Sequence, residues 1–200
     1  VLVTPAHQFP MGTVMSINRR IELLNWAGRK PERYVIEDDY DGEFKFREKP
    51  TPALKSMDTN DDVIYLGSLS RLIAPSLRVS YMILPERLMK KYEAAFQGFG
   101  CPVSLFIQAA LSRFMSEGYF EKHINRMKAL YNRKYSKMKS LIERSPHIEM
   151  HGSNSGMSFV AGIPGVEPGA FLEHLKNAGV RIVPVSDFAV NGKDFRGLYL

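Results

Sequence analysis

The sequence predicts an α/β unit with a mostly parallel sheet, followed by a second part of α+β character. Three observations carry this. Short apolar runs at residues 1–4, 34–36, 63–66 and 77–84 are spaced by segments of helical periodicity, the strand–helix–strand rhythm of a parallel sheet. Two of these runs lead straight into acids, at Glu37, Asp38 and Asp39, or into Gly67. Beyond residue 102 the pattern changes to two helices, then short strands around one more helix.

Each element follows from local chemistry. Residues 1–4 read as the end of a buried strand, and residues 5–12, with Pro5, Pro10 and Gly12, as a turn-rich loop. Ser16 is an N-cap for a helix in which Ile17, Ile21 and Leu24 recur up to about Arg29. Strands follow at 34–36, at 63–66 and at 77–84, the last closed by Pro85. A helix spans residues 104–116, and Phe120, Ile124, Met127, Tyr131, Tyr135, Met138 and Ile142 mark one face of a long amphipathic helix that Pro146 ends. Strands near 147–151 and 157–163, a helix at 168–178, and strands at 180–185 and 197–200 complete the chain. The expected boundary lies near residues 100–102, giving parts 1–101 and 102–200, with the last strand cut by the chain end.

With 200 residues and 44% hydrophobic content, the chain can bury a sizeable core. No apolar run approaches the ~18 residues of a membrane span. A single cysteine, Cys101, excludes a disulfide framework or a cysteine zinc site and fits a reducing, cytoplasmic setting. The chain begins at Val1 with no leader pattern, so it is expected to be a piece of something longer. The formal charge is +6, of which residues 117–144 hold +5, with eight Lys/Arg against three acids. A clustered cationic face can steer anions or nucleic acid, but the ordinary reading is the solvated side of the long helix. Trp26 and the Met and Phe stripes read as core, Cys101 as a buried thiol, and His7 as structural. The other histidines lack ligand spacing, so no metal site is expected.

Two segments could hold chemistry. The first is Glu37-Asp38-Asp39-Tyr40-Asp41 at a strand exit. Its ordinary reading is a solvated loop with one capping acid. A carboxylate and a phenol two residues apart, Asp38 and Tyr40, also suit a heteroaromatic ligand: the acid holds a ring nitrogen protonated and the phenol bonds a ring oxygen. The second is Gly67-Ser68-Leu69-Ser70-Arg71, continuing to Arg78. Glycine, hydroxyls and guanidiniums between two strands suit a phosphate, although Gly/Ser turns with surface arginines are common. One ligand with a pyridine-like ring and a phosphate would use both.

The residues Thr4-Pro5-Ala6-His7-Gln8-Phe9-Pro10-Met11-Gly12, then residues 36–44 with Glu37-Asp38-Asp39-Tyr40-Asp41-Gly42, then Tyr65-Leu66-Gly67-Ser68-Leu69-Ser70, resemble the aminotransferase-like domain of MocR/GabR-type regulators of the GntR superfamily. Residues 118–131, with His123, Arg126 and Tyr131, are also similar. The resemblance covers residues 4 to about 159. It implies a fold-type I domain binding pyridoxal 5′-phosphate, with part of the large domain in residues 1–101 and a small domain after it. In such regulators a winged helix-turn-helix ahead of this domain binds DNA, the protein is a cytoplasmic homodimer, and the effector is the cofactor or a small amino compound. Asp38 would pair with the pyridinium nitrogen, Tyr40 with the ring oxygen, and Ser68, Ser70 and Arg78 with the phosphate.

The lysine expected to form the Schiff base should follow Ser70, and Arg71 stands there instead. Arginine stays protonated and is a poor nucleophile, so transamination by this chain is not expected. Lys45, Lys49 and Lys55 are nearest in sequence, and none matches the position. Three explanations stay open at this point: a natural non-covalent sensor, an introduced substitution in a domain that normally carries Lys, or a cation that fills the pocket and pairs with Asp38 or the phosphate. Phe9 also replaces an expected Asn and cannot donate to the ring oxygen. By the resemblance, the phosphate-cupping loop and the ring-stacking residue would lie upstream of Val1, and the arginine for the substrate carboxylate beyond Leu200. The alternative functions are a fragment of a free-standing aminotransferase and a degenerate dimerisation domain.

Overall fold

The computed structural model describes residues 1–44, 51–152, 158–165, 168–190 and 198–199. In chain order the elements are β1 (Leu2–Val3), α1 (Ile17–Gly28), β2 (Val35–Asp39), α2 (Leu54–Met57), β3 (Val63–Ser68), β4 (Ser80–Ile83), α3 (Glu86–Ala95), α4 (Leu105–Ser116), α5 (Tyr119–Glu143), β5 (Glu149–His151), β6 (Val160–Gly162), α6 (Pro168–Asn177) and β7 (Leu198–Tyr199). Single 3₁₀ turns span Pro75–Leu77 and Val185–Phe188. Two separate sheets form. The first has the order β1-β2-β3-β4 and the second β5-β6-β7. The first sheet is parallel through β1, β2 and β3, and β4 runs antiparallel to β3. The second is antiparallel throughout.

The parallel register decides where the chemistry goes. Asp38 stands opposite Leu66 and Asp39 opposite Gly67. The exits of β2 and β3 therefore open side by side at one edge of the sheet, where ligands of open α/β sheets bind. Ser80 pairs with Ser68, so the chain returning into β4 meets the same edge.

Alternation along β2 sorts its side chains. Val35 and Glu37 are buried. Val35 joins Ala27, Leu54 and Val63 in a core cluster, with Val3, Leu23 and Leu24 packed on it. Burying each aliphatic side chain there contributes about 1.5–3 kcal/mol. A second cluster, of Phe44, Leu69, Leu72 and Ile124, lies under the loop that follows β3 and takes Leu111, Phe120, Met127 and Tyr131 from α4 and α5. Further along α5, Tyr135 and Ile142 are buried, and the Tyr135 ring meets Phe159 edge-on at 6.4 Å.

Several sequence expectations change. The strands at β2 and β3 run further than their apolar runs, through Asp39 and Ser68, because ladder pairing continues past the last apolar side chain. The strand expected from residue 77 begins at Ser80, since Pro75–Leu77 forms a tight turn. Residues 180–185 form no strand, and Val185 opens a 3₁₀ turn. Helices α2 and α3 were not expected from periodicity. On α1 the buried positions are Arg20 and Ala27, while Ile17 and Ile21 are exposed. Trp26 is exposed under the Arg33 guanidinium, 4.6 Å from its ring centre. Met89, Phe96, Phe99, Phe106, Met115 and Met138 are exposed, not core, and so is Cys101. The expected strand at 157–163 begins in part outside the described residues, as do Lys45, Lys49, Gly197 and Leu200. Ser16 caps α1 and Ser104 caps α4, each through its side-chain oxygen.

Candidate active site

The five residues 37–41 divide their work. Glu37 is buried and turned away from the sheet edge: its two carboxylate oxygens accept from the amides of Leu54 and Lys55, each at 2.9 Å, capping α2. Burial pushes its carboxyl up, against the pull of those amides. Asp39 closes the following turn by accepting from Gly42 N at 2.8 Å, and it accepts the Tyr65 hydroxyl at 3.0 Å. A Cβ on Gly42 would meet the Asp39 carboxylate, which would have to swing out of this turn. Asp41 is buried and accepts from His7 Nδ1 at 3.0 Å. Asp38 has no hydrogen-bond donor among the described residues. Burial raises its carboxyl above the usual range, Asp39 raises it further, and the Arg71 charge opposes both.

Tyr40 and His7 lock the two loops together. The Tyr40 hydroxyl donates to the His7 carbonyl at 2.7 Å. His7 is 2% exposed, and its Nε2 is buried without a hydrogen-bond partner. Burial and the neighbouring Asp41 push the Tyr40 phenol up to about 12. A raised value means that the protonated phenol contributes stability below its ordinary pKa, and this contribution is lost as pH rises through about 12. Ultraviolet titration of the protein and of Tyr40→Phe is therefore expected to give matching phenolate curves until pH approaches about 12. Divergence at an ordinary tyrosine pKa would contradict the burial of this hydroxyl.

The loop after β3 builds the other wall. Leu69 N bonds Val79 O at 2.9 Å and Ile73 N bonds Leu69 O at 2.9 Å, which folds residues 69–79 back over the sheet edge. His123 on α5 donates from Nε2 to the Leu72 carbonyl at 3.0 Å. Ser68 Oγ accepts from Ser70 N at 3.3 Å. Arg78 adopts φ 51°, the left-handed region that non-glycine residues seldom occupy outside functional loops. This turn reverses the chain into β4.

The two walls enclose an open cleft of about 420 Å³ lined by Tyr40, Ser68, Ser70, Arg71, Pro75, Arg78, Val79 and Ser80. Such a volume lies within the range of small-molecule sites. The structure thus gathers Tyr40, Ser68, Ser70, Arg71 and Arg78 from three strand ends. Asp38 lies beside the cleft and outside its lining, close enough for Arg71 to act on its charge. Arg71 does not form an ion pair with Asp38. Its guanidinium lies over the Tyr40 ring, 4.7 Å from the centre, with Nη1 3.8 Å from Asp41 Oδ2. Phe9 contacts Phe188 edge-on at 4.8 Å, on the side of the second sheet.

Two groups were missed in the sequence. The His7–Asp41 pair sets the carboxylate that the Arg71 guanidinium approaches, and no spacing rule links residues 34 apart. Arg20, 1% exposed, donates to the carbonyls of Pro5, Met15 and Pro52 and stands 3.9 Å from Glu37. Its place on the Leu23/Leu24/Ala27 face of α1 was the available signal. Among the described residues no three acidic, histidine or cysteine side chains converge as metal ligands, and no helix is long and apolar enough to cross a membrane.

The profile of the aminotransferase class I and II family matches residues 1–197. The chain is 43% identical over 190 residues to the uncharacterized HTH-type transcriptional regulator YdeL of Bacillus subtilis, covering 93% of this chain and 41% of that protein. It is 33% identical to the probable rhizopine catabolism regulatory protein MocR of Rhizobium meliloti, covering 93% and 38%. Among solved structures, kynurenine aminotransferase of Pyrococcus horikoshii superposes with a TM-score of 0.84 at 28% identity, over 100% of this chain and 50% of that one. The chain therefore spans about two-fifths of these regulators and half of that enzyme. The sequence resemblance and the fold-type I architecture both hold, and the chain belongs to the class I and II aminotransferase family.

Proposed function

We propose that this chain is the pyridoxal 5′-phosphate-binding, aminotransferase-like effector domain of an HTH-type transcriptional regulator. In this reading residues 1–101 form part of the large cofactor-binding domain and residues 102–200 the connecting helix and small domain. One observation carries the reading: Tyr40, Ser68, Ser70 and Arg78, the residues matched to ring and phosphate contacts, line a single cleft at the carboxyl ends of β2 and β3. The donor set fits the group. Ser68, Ser70 and Arg78 offer hydroxyls and a guanidinium to a phosphate. Asp38, with no donor of its own, offers a carboxylate to a protonated ring nitrogen. When bound, the cofactor supplies an electron-withdrawing ring and a reactive carbonyl.

Arg71 separates this reading from a free-standing aminotransferase, the second possibility raised by likeness to enzymes such as aromatic-amino-acid aminotransferase 1 of Thermococcus litoralis, at 29% identity. An arginine cannot lose its proton at neutral pH to attack a carbonyl or to shuttle a proton between carbon atoms. Its fixed charge suits binding, not turnover. The resemblance to regulators assigns DNA binding to a separate N-terminal domain and pairing to a second copy. The exposed Phe96, Phe99, Leu105 and Phe106 supply apolar surface for such contacts.

Equilibrium dialysis of the full-length protein against pyridoxal phosphate tests the site. Arg78→Gly removes the guanidinium and suits the positive φ of that position. Binding is expected to weaken by about tenfold to a hundredfold, the size of a lost charge-assisted hydrogen bond, with thermal stability of the free protein unchanged. Equal binding by both proteins would remove Arg78 from the site, and no binding by either would reject the cofactor reading.

A further inference from the structure

Resting on the reading of the cleft as a pyridoxal phosphate site, we infer that Arg71 makes it selective for the carbonyl form of the cofactor and against the amine form, pyridoxamine phosphate. Among the described residues the lining carries two guanidiniums, Arg71 and Arg78, with hydroxyls from Tyr40, Ser68, Ser70 and Ser80, and no carboxylate. Arg78 and the serines can satisfy a phosphate. Arg71 is left for whatever group the ring presents toward Tyr40.

Arg71 is well placed for this and only lightly engaged. Its side chain is 47% exposed, and its one ionic contact among the described residues is the long 3.8 Å approach to Asp41. That carboxylate already accepts from His7 Nδ1 at 3.0 Å. The guanidinium rests on the face of Tyr40 through a cation–π contact, which fixes its plane and leaves N–H groups free. Arginine has five donors and no acceptor, and it is always charged. A carbonyl oxygen or a carboxylate near it accepts a hydrogen bond. An ammonium near it has no acceptor to meet and is repelled. Asp41 is already engaged by His7 and by this guanidinium, and in this reading Asp38 is taken by the ring nitrogen, so among the described residues of the lining neither is left to accept from an ammonium beside Arg71. A lysine at the same place would behave differently, since it could lose its proton and bond to the carbonyl. Arg71 can do neither, so it reads the ligand's charge.

The test measures Kd for pyridoxal phosphate and for pyridoxamine phosphate by calorimetry on the full-length protein, with Arg71→Gln and Arg71→Met alongside. Both variants alter an exposed side chain, and circular dichroism checks their folding. The wild-type protein is expected to bind the aldehyde about tenfold or more tightly than the amine, a difference of about 1.4 kcal/mol. The ratio should fall toward one in both variants, chiefly by gain of amine binding. Equal wild-type affinities, or preference for the amine, would overturn the inference while leaving the cofactor site standing. A ratio unchanged in the variants would overturn Arg71 as its source. No binding of either compound to folded protein would instead overturn the cofactor reading beneath it.

Discussion

Arg71→Lys in the full-length protein is expected to bring covalent attachment of pyridoxal phosphate, where the unsubstituted protein shows none. The amine introduced there would stand on the wall of the cleft, beside the Tyr40 ring. A primary amine in a partly buried site shared with Arg78 loses its proton more readily than in water. Its nitrogen can then bond to the aldehyde carbon with loss of water. Borohydride treatment followed by mass analysis reads this as an all-or-none difference: a cofactor adduct on the peptide containing position 71 in the variant, and none at that position in the parent. An adduct on that peptide in the unsubstituted protein would refute the non-covalent reading. Absence of an adduct in a folded variant that still binds the cofactor would show that position 71 does not face the carbonyl.

Arg20→Ala is expected to be the most destabilising single change in the first sheet's surroundings. The Arg20 guanidinium donates to Pro5 O at 2.6 Å and to Met15 O and Pro52 O at 3.0 Å. These bonds join the loop before α1 to the segment before α2. Removing the side chain takes a donor from three carbonyls, of which Pro5 O keeps the Met15 amide, and leaves a cavity and the buried Glu37 without the cation beside it. Breaking a buried charged network of this kind costs about 3–5 kcal/mol. For a chain of this size that lowers Tm by on the order of 10 °C. Arg19→Ala is the control: its pair with Glu22 is exposed on both sides and contributes at most about 1 kcal/mol. Similar Tm values for the two variants would mean that Arg20 does not hold these loops together.

Much of the fold was legible from apolar spacing. The helix cap at Ser16, the long helix ended before Pro146, and the strand cores at Val35, Val63 and residues 160–162 all follow from local rules. The exposed apolar residues were not legible. Ile17, Trp26, Phe96 and Phe106 look like core in sequence, and periodicity marks an apolar face without saying what lies against it. The candidate site divides in the same way. Asp38 and Tyr40, and Ser68, Ser70, Arg71 and Arg78, are two compact motifs that resemblance joined. Nothing in their spacing indicated that Asp38 stands next to the residues lining the cleft and not among them, or that Arg71 lies on Tyr40 and approaches Asp41.

By itself, the sequence determined most of the element types, the two motifs, and the presence of arginine where the resemblance expects a nucleophilic lysine. These are local properties: capping, periodicity and the fixed proton of a guanidinium act within a few residues. Tertiary structure alone decided which of the four acids faces what. Parallel register set Asp39 opposite Gly67 and so brought residues 40 and 68–71 to one sheet edge. Burial turned Glu37 into a helix cap and Asp41 into the partner of His7. A carboxylate's role depends on the donors and charges that reach it through space, and for Glu37 and Asp41 those come from residues 17 and 34 positions away along the chain.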